Sequence, residues 1–334
     1  MKYSLRIMIA VMFIFAVGCT KKSETPTVWI YTSMYKDTIA DIAPQLEQKF
    51  PGVKFNFYQA GSEEVAAKVQ AENMAGKIQA DILITSDRFW YEDLADQGKL
   101  LEFTPIKADQ IENNFRHPKN FYTAVSLPLM VIAYNTEAVS EADHPKSFQD
   151  LRSPKWKNKV SSGSPLASGT AFTTVAMLTH KYGWDYFKDM RKNDFMAEGG
   201  NSGVIRRIQN KERPVGIVLM ENVLRLVDTD KRLKFAIPTD GAILQANILA
   251  IVKKENQNEE LLKQVANWMF DKEGQKSMAK SFMYPVVRGE PQPIGAPPLD
   301  MILKSSQAWT QELLAELKSK RESIKEEFAK IMFQ

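Results

Sequence analysis

The chain has 334 residues, with 44 Lys and Arg against 40 Asp and Glu, three His and one Cys. At ~100–200 residues per domain this length suggests about two domains, and 44% hydrophobic with 25% charged residues excludes a disordered, collagen-like or fibrous chain. A net charge of +4 with no basic stripe argues against a nucleic-acid partner, and a single Cys excludes a disulfide framework or a cysteine zinc cluster. His117, His144 and His180 stand nowhere at metal-ligand spacing.

Residues 1–6 form a short basic stretch, and Ile7 to Val17 is an almost unbroken apolar run ending at Gly18-Cys19. A run this short, positively charged only on its N-terminal side, fits a secretory signal better than a membrane span of ~20 apolar residues. Ala16-Val17-Gly18-Cys19 resembles the lipobox of bacterial lipoproteins, although Leu is commoner than Ala at its first position. The resemblance implies a signal peptide at 1–18, lipidation of Cys19, and a polar tether at 19–26. Cleavage would remove Lys2 and Arg6, leaving a nearly neutral chain held to the cell envelope by lipid, on its periplasmic or outer face.

Strands and helices then alternate. Val28–Tyr31 is a short β-rich run, and Lys36–Phe50 carries apolar residues at helical spacing. Val53–Phe57 alternates apolar and polar, Gly61-Ser62-Glu63-Glu64 opens a helix with Ser62 as N-cap, and Asp81–Ile84 is a third strand. This β-α-β-α-β order predicts a parallel, doubly wound sheet whose ligands sit at the carboxyl ends of its strands. A second α/β pattern follows Leu127–Asn135, with helices at Thr170–Tyr182 and Ser202–Asn210 and a strand at Val215–Met220. Ile248–Val252 is a strand that returns the chain to the first sheet, and the last fifty residues are helix-rich. The expected fold class is α/β, two lobes with two crossovers between them. Trp29 and Trp90 read as core.

The order of seven short segments resembles the solute-binding proteins of bacterial ABC importers, in the group serving ferric iron, phosphonates and sugar phosphates. They are 28–33, 80–87, 131–135, 148–157, 164–171, 199–204 and 238–242, so the likeness runs from about Thr27 to Tyr284. It implies the type 2 periplasmic-binding-protein fold: two doubly wound sheets closing on one solute, with no catalysis and no cofactor. Lobe 1 would comprise 27–125 plus about 243–285 and lobe 2 126–242, with the helices of 286–334 packed on both. The implied partners are a small anionic solute and an ABC permease with its ATPase, the protein acting as a monomer.

Small-residue turns stand where helices begin: Ser33, Gly61-Ser62, Ser86, Ser168-Gly169-Thr170 and Asn201-Ser202. Helix N-termini leave backbone N–H groups unpaired and carry partial positive charge, so small residues there let an oxyanion approach. Each turn taken alone reads first as a plain helix cap, the commoner role of Ser, Thr and Asn before a helix; the resemblance places them together in the cleft. Glu221 and Asp240 are the carboxylates expected to face it, Glu221 accepting from sugar hydroxyls or pairing with a ligand ammonium. The expected ligand is therefore a sugar phosphate or an aminophosphonate.

Ferric-iron members of the group carry adjacent tyrosines just after the strand that here is Val215–Leu219, whereas this chain has Met220-Glu221-Asn222. Hard Fe(III) prefers phenolate and carboxylate oxygens, so iron is the alternative, with Tyr31, Tyr35 and Tyr58 as its candidate ligands. A structural or adhesive surface lipoprotein is a more remote alternative. A hydrolase lacks support, with no Gly-x-Ser-x-Gly elbow and no Walker or dinucleotide glycine pattern.

Overall fold

The structure is a computed structural model that describes residues 25–306 and 309–334. Its first half-sheet forms from β1 (Thr27–Thr32), α1 (Lys36–Lys49), β2 (Lys54–Gln59), α2 (Ser62–Met74), β3 (Ile82–Thr85) and α3 (Arg88–Asp96). β1 lies parallel between β2 and β3, with Tyr31 opposite Tyr58 on one side and Leu83 on the other. β4 (Leu100–Leu101) and β5 (Thr123–Leu127) complete this pass through lobe 1.

Lobe 2 follows with β6 (Leu129–Asn135), β7 (Val160–Ser162), α4 (Gly169–Tyr182), α5 (Asp185–Lys192), β8 (Met196–Ala197) and α6 (Asn201–Gln209). It continues through β9 (Val215–Leu219), α7 (Met220–Leu224), β10 (Leu233–Ala236) and β11 (Ile243–Leu244). The chain returns to lobe 1 as β12 (Asn247–Val252), α8 (Glu259–Trp268), α9 (Lys272–Lys280) and β13 (Tyr284–Pro285). Three helices end it: α10 (Leu299–Ser305), α11 (Gln311–Ser319) and α12 (Arg321–Phe333). α11 packs on α3 and α12 on α4 and α5, so the C-terminal helices span both lobes.

The three strands of the opening β-α-β-α-β run are parallel, as expected, but each sheet as a whole is mixed because the crossover and returning strands run the other way. The first runs β13-β5-β12-β3-β1-β2, with β4 also on β12; the second runs β10-β6-β9-β7-β8, with β11 also on β6. The physical reason is the crossover. β12 enters lobe 1 from the cleft side, so it runs against β3, whose carboxyl end points at that cleft. β6 likewise starts at the cleft and runs antiparallel to β9. Only Pro128 separates β5 in one sheet from β6 in the other, and Gln245 N–H donates to the Pro128 carbonyl at 2.7 Å, tying the two crossings together.

Each lobe buries its central strands: Ile82, Leu83 and Ile84 with Leu249 and Ile251 in the first, and Val131, Ile132, Ile217 and Val218 in the second. Truncating such a side chain to Ala costs ~2–5 kcal/mol, so these runs fix the register from which the cleft turns project. Gly216 matters to that positioning. A Cβ there would lie 2.6 Å from Val204 Cγ1 and 2.7 Å from Ile208 Cδ1, so only glycine lets α6 settle on β9. Trp90 is buried as expected, whereas Trp29 is 37% exposed, on the β1 face it shares with the buried Tyr31, whose ring it meets edge-on.

Candidate functional site

A cleft of about 410 Å³ lies between the sheets, walled by the turns at the carboxyl ends of their strands. From lobe 1 come Ser33, Met34 and Tyr35 after β1, Gln59 to Ser62 after β2, and Ser86 after β3. Lobe 2 supplies Ala167, Ser168 and Thr170, then Gly199 to Gly203 with Arg206 and Arg207, and Glu221 after β9. Asn247 and Met283 form the floor, beside the crossover strands.

Three of the helices that open onto this cleft begin without a side-chain cap. Tyr35, Gly61 and Gly200 stand at the N-cap positions of α1, α2 and α6, and none bonds its own helix through a side chain. By contrast, Asp87, Asn258, Asp271 and Thr310 cap α3, α8, α9 and α11 with their side chains. Thr38 N–H of α1 is taken by Asp37 Oδ1 and Gly203 N–H of α6 by the Gly200 carbonyl, while the earlier N–H groups of these first turns have no side-chain cap, and each terminus favours an anion by ~0.3–1 kcal/mol. Ser62 was expected to cap α2; it is instead the first helical residue, because Gly61 takes the extended cap conformation.

Across the cleft the lobes meet at Gly169. Its N–H donates to Ser62 Oγ at 2.8 Å, so Gly169 sits buried in the seam rather than open in the wall. The hydroxyl chain continues: Ser168 Oγ lies 3.0 Å from Thr170 Oγ1, which also accepts from Asn201 Nδ2 at 3.1 Å. Ser168 additionally caps α4, accepting from Ala171 N–H. On the other flank, Tyr35 Oη donates to Asn222 Oδ1 at 2.6 Å, and the Arg225 guanidinium lies 4.4 Å above the Tyr35 ring. Arg225 also pairs with Asp37 and donates to Thr38 Oγ1 and the Ser281 carbonyl, so it binds lobe 2 to lobe 1.

Glu221 is 1% exposed, and neither of its carboxylate oxygens has a hydrogen-bond partner. Burial pushes its pKa up to about 8. The same desolvation holds the Tyr35 phenol well above its ordinary value.

The structure thus gathers Ser33, Gly61, Ser62, Ser86, Ser168, Thr170, Asn201, Ser202 and Glu221 around one cavity. Asp240 is not among them. Its carboxylate accepts from the N–H groups of Phe148 and Gln149 at 3.0 and 2.9 Å and from Tyr182 Oη at 2.6 Å, which ties down a loop elsewhere in lobe 2. The three tyrosines proposed for iron are also dispersed. Tyr31 Oη donates to Glu72 and Tyr58 Oη to Glu64, their rings 5.0 Å apart against α2, and only Tyr35 reaches the cleft. Among the described residues no group of three His, Cys, Asp or Glu side chains is placed to hold a metal ion.

Sequence reasoning overlooked Arg206 and Arg207, which lie one turn into α6 behind Asn201-Ser202; helical spacing alone would have flagged them. Asn247 and Met283 carried no comparable signal, since their place at the floor depends on the crossover. Cys19 and its lipobox lie outside the described residues. No described helix is long and apolar enough to cross a membrane.

Residues 77–301 match the family model of the bacterial extracellular solute-binding proteins. The chain belongs to that family. It is a solute-binding protein of the extracellular or periplasmic kind, not an enzyme. Among curated relatives, the Fe(3+)-binding periplasmic protein of Serratia marcescens is 25% identical over 217 residues, 63% of this chain and 62% of the relative. The chain spans about two thirds of the length of the curated relatives it matches. Among solved structures, the periplasmic binding protein AfuA of Actinobacillus pleuropneumoniae, with exogenous fructose-6-phosphate bound, superposes with a TM-score of 0.80 at 23% identity, covering 92% of this chain and 98% of that one. Iron-bound HitA of Pseudomonas aeruginosa gives 0.77 at 21% identity, covering 91% and 99%. These likenesses show the two-lobed fold, and between them name two ligands.

Proposed function

We propose that the protein captures a small organophosphate, a sugar phosphate or an aminophosphonate, between its lobes and delivers it to the permease and ATPase of an ABC importer. It works as a monomer, anchored to the cell envelope through a lipid on Cys19. The observation that carries the ligand class is the convergence of the uncapped N-termini of α1, α2 and α6 on one cleft, with Arg206 and Arg207 at its lip. Neutral N–H and hydroxyl donors suit a phosphate because they are already aligned and bring no counter-charge that must be stripped of water. AfuA, with fructose-6-phosphate bound, has the same architecture and supports the reading by analogy.

Ferric iron is the rival, being the ligand named for the Serratia protein and for HitA. The separation of Tyr31 and Tyr58 from Tyr35 weighs against it, since one phenol beside one carboxylate is a thin donor set for Fe(III). Calorimetric titration with fructose 6-phosphate and 2-aminoethylphosphonate, alongside ferric loading followed by visible absorption, separates the two. Saturable organophosphate binding and a colourless iron-treated protein are expected. A phenolate–Fe(III) charge-transfer band that disappears in Tyr35→Phe, with no organophosphate bound, would replace this reading with the iron one.

A further inference from the structure

Among the described residues Glu221 is the one acidic side chain lining the cleft, and neither of its oxygens has a hydrogen-bond partner there. We infer that Glu221 meets its ligand as a neutral carboxyl, so that the ligand's end away from the phosphate is uncharged and hydroxyl-bearing, as in a phosphorylated sugar or polyol. This rests on the organophosphate reading and selects one of its two members.

The argument begins with what surrounds the carboxyl. From the start of α1, Tyr35 faces it, but the phenol O–H donates its hydrogen bond to Asn222 Oδ1. On α7's own turn Arg225 is directed away, held over the Tyr35 ring and by Asp37, Thr38 and the Ser281 carbonyl. The neighbouring strands β6 and β9 carry no charged side chain, and on β10 Lys234 is engaged by Glu141. α6 contributes Arg206 and Arg207 to the cleft; Arg207 donates to the Glu198 carbonyl, and neither arginine bonds Glu221. An ionised carboxylate so enclosed, without a cation or a donor, is far costlier than a protonated one. Desolvation accordingly lifts the group to about 8.

A neutral carboxyl offers one O–H donor and a carbonyl acceptor on adjacent atoms. Hydroxyls, which both donate and accept, complement that pair without any change of charge. An ammonium group only donates, so it requires the carboxylate and must expel the proton as it binds. Expulsion weakens apparent affinity tenfold for each pH unit below about 8, or roughly a hundredfold at pH 6. Near neutral and acidic pH the site therefore discriminates against aminophosphonates in favour of hydroxylated phosphates.

Two measurements on the full chain test this. The first needs no ligand: the infrared pH-difference spectrum of wild type against Glu221→Gln should contain a neutral-carboxyl carbonyl band at pH 6.5 that is missing from the variant. Its absence at pH 6.5 overturns the inference alone, whatever the ligand proves to be. The second is titration calorimetry at pH 6.5 in two buffers of different ionisation enthalpy, with fructose 6-phosphate and 2-aminoethylphosphonate as probes. Comparison with Glu221→Gln cancels protons exchanged by the phosphate itself. Fructose 6-phosphate should bind the more tightly, wild type and variant releasing the same number of protons. Wild-type affinity should then fall about tenfold per unit above pH 8 while that of Glu221→Gln stays flat. Tighter binding of 2-aminoethylphosphonate, with wild type releasing one proton more than the variant, overturns the inference and leaves the organophosphate reading standing. If neither probe binds, it is the organophosphate reading that fails, and the infrared band still decides the state of Glu221. Should Glu221→Gln melt abnormally, Glu221→Leu serves as the second reference lacking the carboxyl.

Discussion

Gly169 offers the sharpest test of how the lobes come together. In the structure its N–H donates to Ser62 Oγ at 2.8 Å, and a Cβ built there would lie 2.8 Å from that same oxygen and 2.9 Å from Asp87 Cβ. Ser62 could rotate away, but Asp87 cannot. Its carboxylate caps α3 through Phe89 and Trp90 and pairs with Arg321, which is also held by Glu63 at 3.0 Å. Ordinary carbon contacts lie at ~3.5–4.0 Å, so Gly169→Ala must separate the lobes by about 0.6 Å or more at this seam. The lost hydrogen bond costs ~0.5–1.5 kcal/mol and overpacking ~1–3 kcal/mol. Both fall on the closed form alone, so closure should become roughly 10- to 2,000-fold less favourable, with solute affinity weakened to match. The folding of each lobe should be nearly untouched, since Gly169 lies outside both cores. Small-angle scattering, with and without saturating fructose 6-phosphate, would read the shift as a larger radius of gyration, and calorimetry as a raised Kd. A variant with wild-type radius and wild-type affinity would show that the seam is not closed in the bound state.

Three further perturbations probe other parts of the argument. Thr170→Val removes a hydroxyl that accepts from Asn201 and faces the cleft; a hydrogen bond to a charged group contributes ~1.5–3 kcal/mol, so titration with fructose 6-phosphate should show a 10- to 150-fold loss, and an unchanged Kd would exclude Thr170 from the site. Glu221 has a folded-state pKa of about 8 against ~4.3 unfolded, so the folded form binds the extra proton between those values and stability falls as pH rises through that window. Glu221→Gln should therefore be more stable than wild type by roughly 2–4 kcal/mol near pH 7.5 and equal to it near pH 4, and a constant difference across denaturant melts at both pH values would refute this. Cys19→Ala should release the protein from membranes and abolish labelling by a fatty-acid analogue; persistent labelling would place the lipid elsewhere.

Much of this architecture is legible in the sequence because it is local. β1 declares itself by a short β-rich run, β2 by apolar and polar alternation, α1 by helical spacing, and the cleft turns by small polar residues between a strand and a helix. What escapes is set by partners distant in the chain. Asp240 resembles the other turn acids, yet Phe148 and Gln149, some ninety residues earlier, supply the N–H groups that claim it. The direction of β12 follows from where the chain re-enters lobe 1, which no residue of Asn247–Val252 encodes. Tyr31 is different, because its position was available in principle. A side chain inside a strand projects from a sheet face, whereas the cleft lies beyond the strand end, so Tyr31 and Tyr58 turn to α2 while Tyr35, past the end of β1, reaches the cavity.

The distribution of satisfied and unsatisfied groups then explains how closure is tied to solute. Contacts that bridge the lobes are complete on both flanks: Tyr35 to Asn222 and Arg225 to Asp37 on one, Gly169 to Ser62 on the other. Those contacts are made by the protein's own groups, so they lower the cost of closing but confer no selectivity. Selectivity must come from groups that the closed form leaves unmatched, and these face the cleft: the uncapped starts of α1, α2 and α6, and both oxygens of Glu221. A solute shifts the equilibrium only by its differential affinity for the closed state, and a buried polar group without a partner costs ~1–3 kcal/mol until one arrives. A molecule that satisfies only the helix termini leaves Glu221 still unmatched. One that satisfies both ends removes every outstanding penalty at once, which is why the cleft should prefer a phosphate ester with hydroxyls over phosphate itself.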